Sequence, residues 1–85
     1  MEHKEIVGAL ASFFEEEDIV EETGVLFNGT DLIESGIVDS LVLVMLVMYC
    51  EERFDCTLEP DELVEDNFRS LDRIAEYITT KMAPS

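Results

Sequence analysis

The chain has very little positive charge. Lys4, Arg53, Arg69, Arg73 and Lys81 are its only basic residues, set against 21 acidic ones, and the formal net charge is −16. Nucleic-acid binders neutralise phosphates with Lys and Arg, so this class of partner is excluded. Attraction to an anionic lipid surface is excluded for the same reason. Histidine is reduced to His3, and the two cysteines, Cys50 and Cys56, do not form a Cys-x-x-Cys pair. Such a set cannot build a zinc site. Two buried or half-buried thiols in a reducing cytosol are the simplest reading; the sequence leaves open whether they pair. The longest unbroken apolar run, Leu41 to Cys50, is too short to span a bilayer. Met-Glu-His-Lys-Glu at the start is not a signal peptide. A cytoplasmic chain with no membrane insertion is expected.

Length and apolar content say what the chain does have. Its 85 residues suit one domain, 1–85, and 47% of them are hydrophobic, too many for a disordered segment. A domain of this size buries only about 60–65% of its unfolded surface. The surplus of carboxylates repels itself and steers basic protein partners toward the chain.

Periodicity points to helices throughout. Ile6, Val7, Leu10, Phe13 and Phe14 form an apolar face over residues 3–18. The acidic run Glu15 to Asp18 crowds the end where the helix dipole prefers cations, and reads as a solvated face. From 20 to 39 no period holds. Gly24, Asn28-Gly29 and Gly36 mark turns, while Val25, Leu26, Phe27, Leu32, Ile33 and Ile37 require the segment to be held on the core. Such a connection is long enough to cross a bundle. Further helices are predicted over 40–54, over 60–64 with Pro60 in its first turn, and over 70–82 with Ser70 as N-cap. Leu71, Ile74, Ala75, Ile78 and Met82 supply the last buried stripe, and Ala83-Pro84-Ser85 ends it.

The helix over 40–54 is the organising stretch. Asp39 is a good N-cap, which leaves Ser40 at the helix mouth with its hydroxyl in solvent. The unpaired N–H groups and the dipole there favour a phosphate, so Ser40 is well placed to carry a phosphate-linked group. Leu43, Leu46, Val47, Cys50 and Phe54 make one stripe, read as the core face. Leu41, Val44, Met45 and Met48 make a second one. A small domain needs a single stripe for its core, so the second is read as a partner face; burial on both sides is the competing reading.

No catalytic equipment is visible. An EF-hand register beginning at Asp31 puts Gly36 correctly but sets Ile33 and Val42 where oxygen ligands are required. His3 is distant in sequence and near a frayed end, so Ser40 has no base. There is no Gly-rich phosphate loop, and the carboxylates fall in no recognisable apolar pocket.

Gly36-Ile37-Val38-Asp39-Ser40-Leu41 resembles the Asp-Ser-Leu signature of acyl carrier proteins. The spacing downstream strengthens it: Glu51-Glu52-Arg53-Phe54-Asp55, Pro60-Asp61-Glu62-Leu63 and Asn67-Phe68-Arg69-Ser70-Leu71 resemble later stretches of that family. The resemblance implies an all-α four-helix bundle with a long first loop and a short third helix. It implies 4′-phosphopantetheine from coenzyme A on Ser40, flanked by Asp39 and Leu41, installed by a phosphopantetheinyl transferase. It further implies a monomer that is a substrate of pathway enzymes rather than an enzyme. An acyl- or aminoacyl-loading enzyme would charge the arm, and a downstream synthase or transferase would take the group away. Val44, Met45, Met48, Glu51 and Glu52 are the expected partner-binding residues. Fatty-acid carriers usually have acids just after the signature, and here Val42 and Met45 stand at those places. That departure suggests a stand-alone carrier of a dedicated pathway, such as a D-alanyl, aminoacyl or polyketide carrier. The alternative is an unmodified acidic helical interaction module, and a small acidic enzyme comes last.

Overall fold

Four α-helices, α1 (His3–Glu16), α2 (Ser40–Phe54), α3 (Glu65–Phe68) and α4 (Leu71–Lys81), form a helical bundle in a computed structural model that describes residues 2–82. Met1 and the predicted stop at Ala83-Pro84-Ser85 lie outside the described residues.

α1 buries Ile6, Leu10, Phe13 and Phe14, a spacing that keeps to one helical face. It stops two residues earlier than predicted. Asp18 adopts φ 57°, the Ile19 amide donates to the Phe14 carbonyl at 3.0 Å, and the Asp18 amide donates to Glu15 at 3.1 Å. This is a Schellman ending, in which glycine normally takes the left-handed position. With Asp in place of the usual glycine, at a cost of about 1–2 kcal/mol, the stop carries no glycine signal in the sequence. α2 also ends on a left-handed Asp, whose amide donates to the Glu51 carbonyl. Asp55 has φ 51°, and the Cys56 amide donates to the Glu51 carbonyl at 3.3 Å.

The long connection is held by Leu26, Leu32 and Val38, all buried, with Ile33 and Ile37 half-buried. Val25 and Phe27 are exposed, contrary to expectation. A 3₁₀ turn over Thr23–Leu26 breaks the segment. Farther on, the Asp31 carboxylate accepts from the amides of Ile33 at 2.9 Å and Glu34 at 3.0 Å, and Gly36 closes that turn at φ 84°. The Leu32 amide donates to the Arg69 carbonyl at 2.8 Å, which fixes the connection to the segment entering α4. His3 is not at a free end: its Nε2 lies 2.9 Å from Asp72 Oδ1, joining the first turns of α1 and α4.

The predicted helix over 60–64 is not there. Pro60–Glu62 is a 3₁₀ turn; Leu63 leaves helical geometry at ψ 62° and Val64 is extended at ψ 157°. The helix restarts at Glu65, with Glu65 and Asp66 in a first turn that favours acids. The displacement follows from Phe68, which is buried at 1% exposure and fixes where the turn must dock.

Candidate functional site

Asp39 is extended at φ −108°, ψ −172°, and its Oδ1 accepts from the Val42 amide at 2.9 Å. That cap starts α2 at Ser40, as the sequence indicates. Ser40 is exposed, and among the described residues its hydroxyl makes no intrachain hydrogen bond. The helix leaves its first amides without internal partners, so the hydroxyl stands beside free N–H donors and the positive end of a 15-residue helix.

Below Ser40 the stripes differ from expectation. Val42, Leu46, Cys50 and Phe54, one row at four-residue intervals, are the buried positions of α2. Leu43 and Val47, assigned to the core face, are only half-buried, and Val42, which neither stripe included, is core. The helix is apolar nearly all round, so no polar residue in the sequence distinguished these rows. Leu41, Val44 and Met48 are 68%, 57% and 65% exposed and form a ridge on one side of the helix. Met45 lies at its half-buried edge.

The carboxylates at the far end are not equivalent. Glu52 is exposed, but Glu51 Oε2 accepts from the Leu58 amide at 2.9 Å and holds the chain leaving α2. Sequence reasoning read Glu51 only as a surface charge, because its acceptor role depends on a residue seven positions away in the chain.

A groove of about 260 Å³ opens beside Ser40, lined by Ile33, Val38, Leu43, Leu63, Val64 and Phe68. Reasoning from sequence missed this groove, since its walls come from the long connection, α2 and the 63–68 segment. The thiols offer no competing chemistry. Burial pushes Cys50 up to about 12 and raises Cys56 as well, so both are protonated at neutral pH. Both are free, with Cys56 Sγ donating to the Cys50 carbonyl at 3.7 Å. Among the described residues, no group of three or more His, Cys, Asp or Glu side chains is placed to hold a metal ion, and no helix is long and apolar enough to cross a membrane.

A helical bundle that offers one free serine at the head of its longest helix defines a carrier domain. The family model described as "Phosphopantetheine attachment site" matches residues 5–78, and the chain belongs to that family. Its cofactor is accordingly covalent 4′-phosphopantetheine, and the open helix mouth suits the phosphate end of such a group. D-alanyl carrier proteins of Lactococcus lactis subsp. cremoris (strain MG1363) and subsp. lactis (strain IL1403) are each 35% identical over 51 residues. Those alignments cover 60% of this chain and 65% of each relative, so the chain spans less than two thirds of their length. No solved structure matches.

Proposed function

We propose that the protein is a stand-alone carrier that receives 4′-phosphopantetheine on Ser40 and presents an acyl or aminoacyl group, with a D-alanyl group as the leading cargo. The observation that carries this reading is the exposed, unbonded Ser40 hydroxyl at the capped N-terminus of α2. The relatives named as D-alanyl carrier proteins support the choice of cargo. The Ser40 hydroxyl oxygen attacks the phosphopantetheine phosphorus of coenzyme A, forming the Oγ–P bond as the pyrophosphate P–O bond breaks and adenosine 3′,5′-bisphosphate leaves. The serine proton must go to a base of the transferase, since no acid or histidine among the described residues bonds the hydroxyl. When bound, the arm supplies a thiol that holds the cargo as a thioester. The chain's own residues cap, expose and orient the attachment point, and a tethered cargo reaches a docked enzyme at high effective concentration. The protein is thus a substrate of a transferase, a loading enzyme and a downstream acceptor enzyme, not a catalyst.

Incubation with coenzyme A and a broad-specificity phosphopantetheinyl transferase, followed by intact-mass measurement, tests this. One phosphopantetheine should be gained by the wild type and none by Ser40→Ala. A wild type with unchanged mass would support an unmodified interaction module instead.

The ridge of Leu41, Val44 and Met48 is the docking face of this reading, with Glu52 at its far end and Met45 and Glu51 contributing less because both are partly enclosed. Met48→Glu should leave stability within about 0.5 kcal/mol, as exposed substitutions do. It should lower kcat/KM with the cognate loading enzyme by about tenfold or more, since burying an unpaired charge costs at least ~1.4 kcal/mol. Equal kcat/KM for variant and wild type would remove this ridge from the interface.

A further inference from the structure

The wall of the Ser40 groove formed by Leu63 and Val64 belongs to a segment with little burial of its own. The 3₁₀ turn Pro60–Glu62 buries no residue, Val64 is 49% exposed, and α3 buries only Phe68. Three kinds of polar contact hold it, the first being Arg69, which pairs with Asp66 at 2.9 Å and Glu65 at 3.9 Å and lies 3.8 Å from Asp31. Inside the segment, Asn67 Nδ2 donates to the Glu62 carbonyl at 2.7 Å, so residues 62–67 are tied into one unit. Toward α4, the Glu62 carboxylate accepts from the Tyr77 hydroxyl at 2.9 Å and pairs with Lys81 Nζ at 2.9 Å. Tyr77 is itself buried and packs edge-on against Phe68, ring centroids 5.7 Å apart. One α4 side chain therefore braces both the floor of the groove and the residue that holds its wall.

We propose that Glu62 is the fastener of a hinged groove wall: its bonds to Tyr77 and Lys81 hold the 62–67 segment against α4, and releasing them widens the groove beside Ser40. This rests on Ser40 as the attachment point for its use, though not for its physics. While Glu62 is fastened, the wall stays close to α2, and a small polar cargo such as an aminoacyl group remains in solvent, in reach of an enzyme. An unfastened wall leaves room for a longer apolar chain over Leu43 and Phe68, which already line the groove. Glu62 is a positioning residue in this scheme.

Amide hydrogen exchange on the unmodified chain is the test, so its outcome does not depend on whether Ser40 takes the arm. The reporters are the amides of Leu63, bonded to the Pro60 carbonyl at 3.2 Å, and Asn67, bonded to Val64 at 3.0 Å. Glu62→Gln keeps the volume and loses the ion pair. It should speed exchange at both amides about tenfold or more, while Leu10, Leu46 and Ile74 exchange as in the wild type, the pattern of local opening. Lys81→Met should give a smaller acceleration at the same two sites, and Lys81→Arg should restore the wild-type rate. Unchanged rates at Leu63 and Asn67 in Glu62→Gln would overturn the proposal. So would equal acceleration at the core amides, which would mean that Glu62 merely stabilises the whole domain. Should Glu62→Gln fail to fold, Lys81→Met decides by the same comparison.

Discussion

Phe54→Ala is expected to lower the stability of the domain by about 3–5 kcal/mol, the usual loss when a buried phenylalanine is truncated. Phe54 is the last residue of α2 and is 5% exposed. It packs edge-on against Tyr49, ring centroids 6.2 Å apart, and Tyr49 lies against Phe13 of α1 at 4.7 Å. The Tyr49 hydroxyl also donates to the Ala9 carbonyl at 3.2 Å. These rings join α1 to α2, so a cavity at Phe54 undermines the contact that holds the site's helix in place. Domains of this size have only about 5–15 kcal/mol in total, and each kcal/mol is worth about 4–8 °C in Tm. Urea denaturation of wild type and variant measures the effect, and a loss under 1 kcal/mol would show that Phe54 is not a core residue.

The second large effect is alkaline. Burial holds the Cys50 thiol protonated up to about 12, against 9.0 for a free thiol. Below pH 9 the thiol is neutral in both the folded and the unfolded chain and has no effect on the balance. Above pH 9 the unfolded chain releases this proton and the folded one does not, so stability falls with rising pH until about 12, where the folded form ionises too. At roughly 1.4 kcal/mol per pH unit of separation, the loss is on the order of 4 kcal/mol. The Tyr77 phenol, raised to about 12 by burial first and then by its bond to Glu62, adds to the loss in the same direction. Cys50→Ala should flatten the decline in unfolding free energy between pH 9 and 12. An equally steep decline in that variant would assign the effect to other groups.

Much of the site is legible in the sequence. Asp39 and Ser40 declared themselves because an N-cap acts within four residues, through a side chain and an amide in the same turn. Ser70 did so for α4, where its hydroxyl accepts from the Arg73 amide at 3.1 Å. Where local signals conflicted, reading failed. Asp18 stops α1 in a conformation that glycine usually takes, and the strong apolar pattern around Val42 and Leu43 had no polar partner to break the tie. The third helix begins late because Phe68, its own last residue, must dock against a ring distant in sequence, Tyr77 of α4.

The sequence by itself determined that this chain is helical, acidic and built around a serine at the mouth of an apolar helix, because charge, periodicity and capping are properties of neighbouring residues. Only the tertiary structure decided which row of α2 is core, that Glu51 is occupied with the Leu58 amide, and that a groove flanks Ser40 with a wall held by Glu62. Those features arise from contacts between segments far apart in the chain. No local pattern encodes such contacts, since each depends on how helices that are individually predictable come to rest against one another.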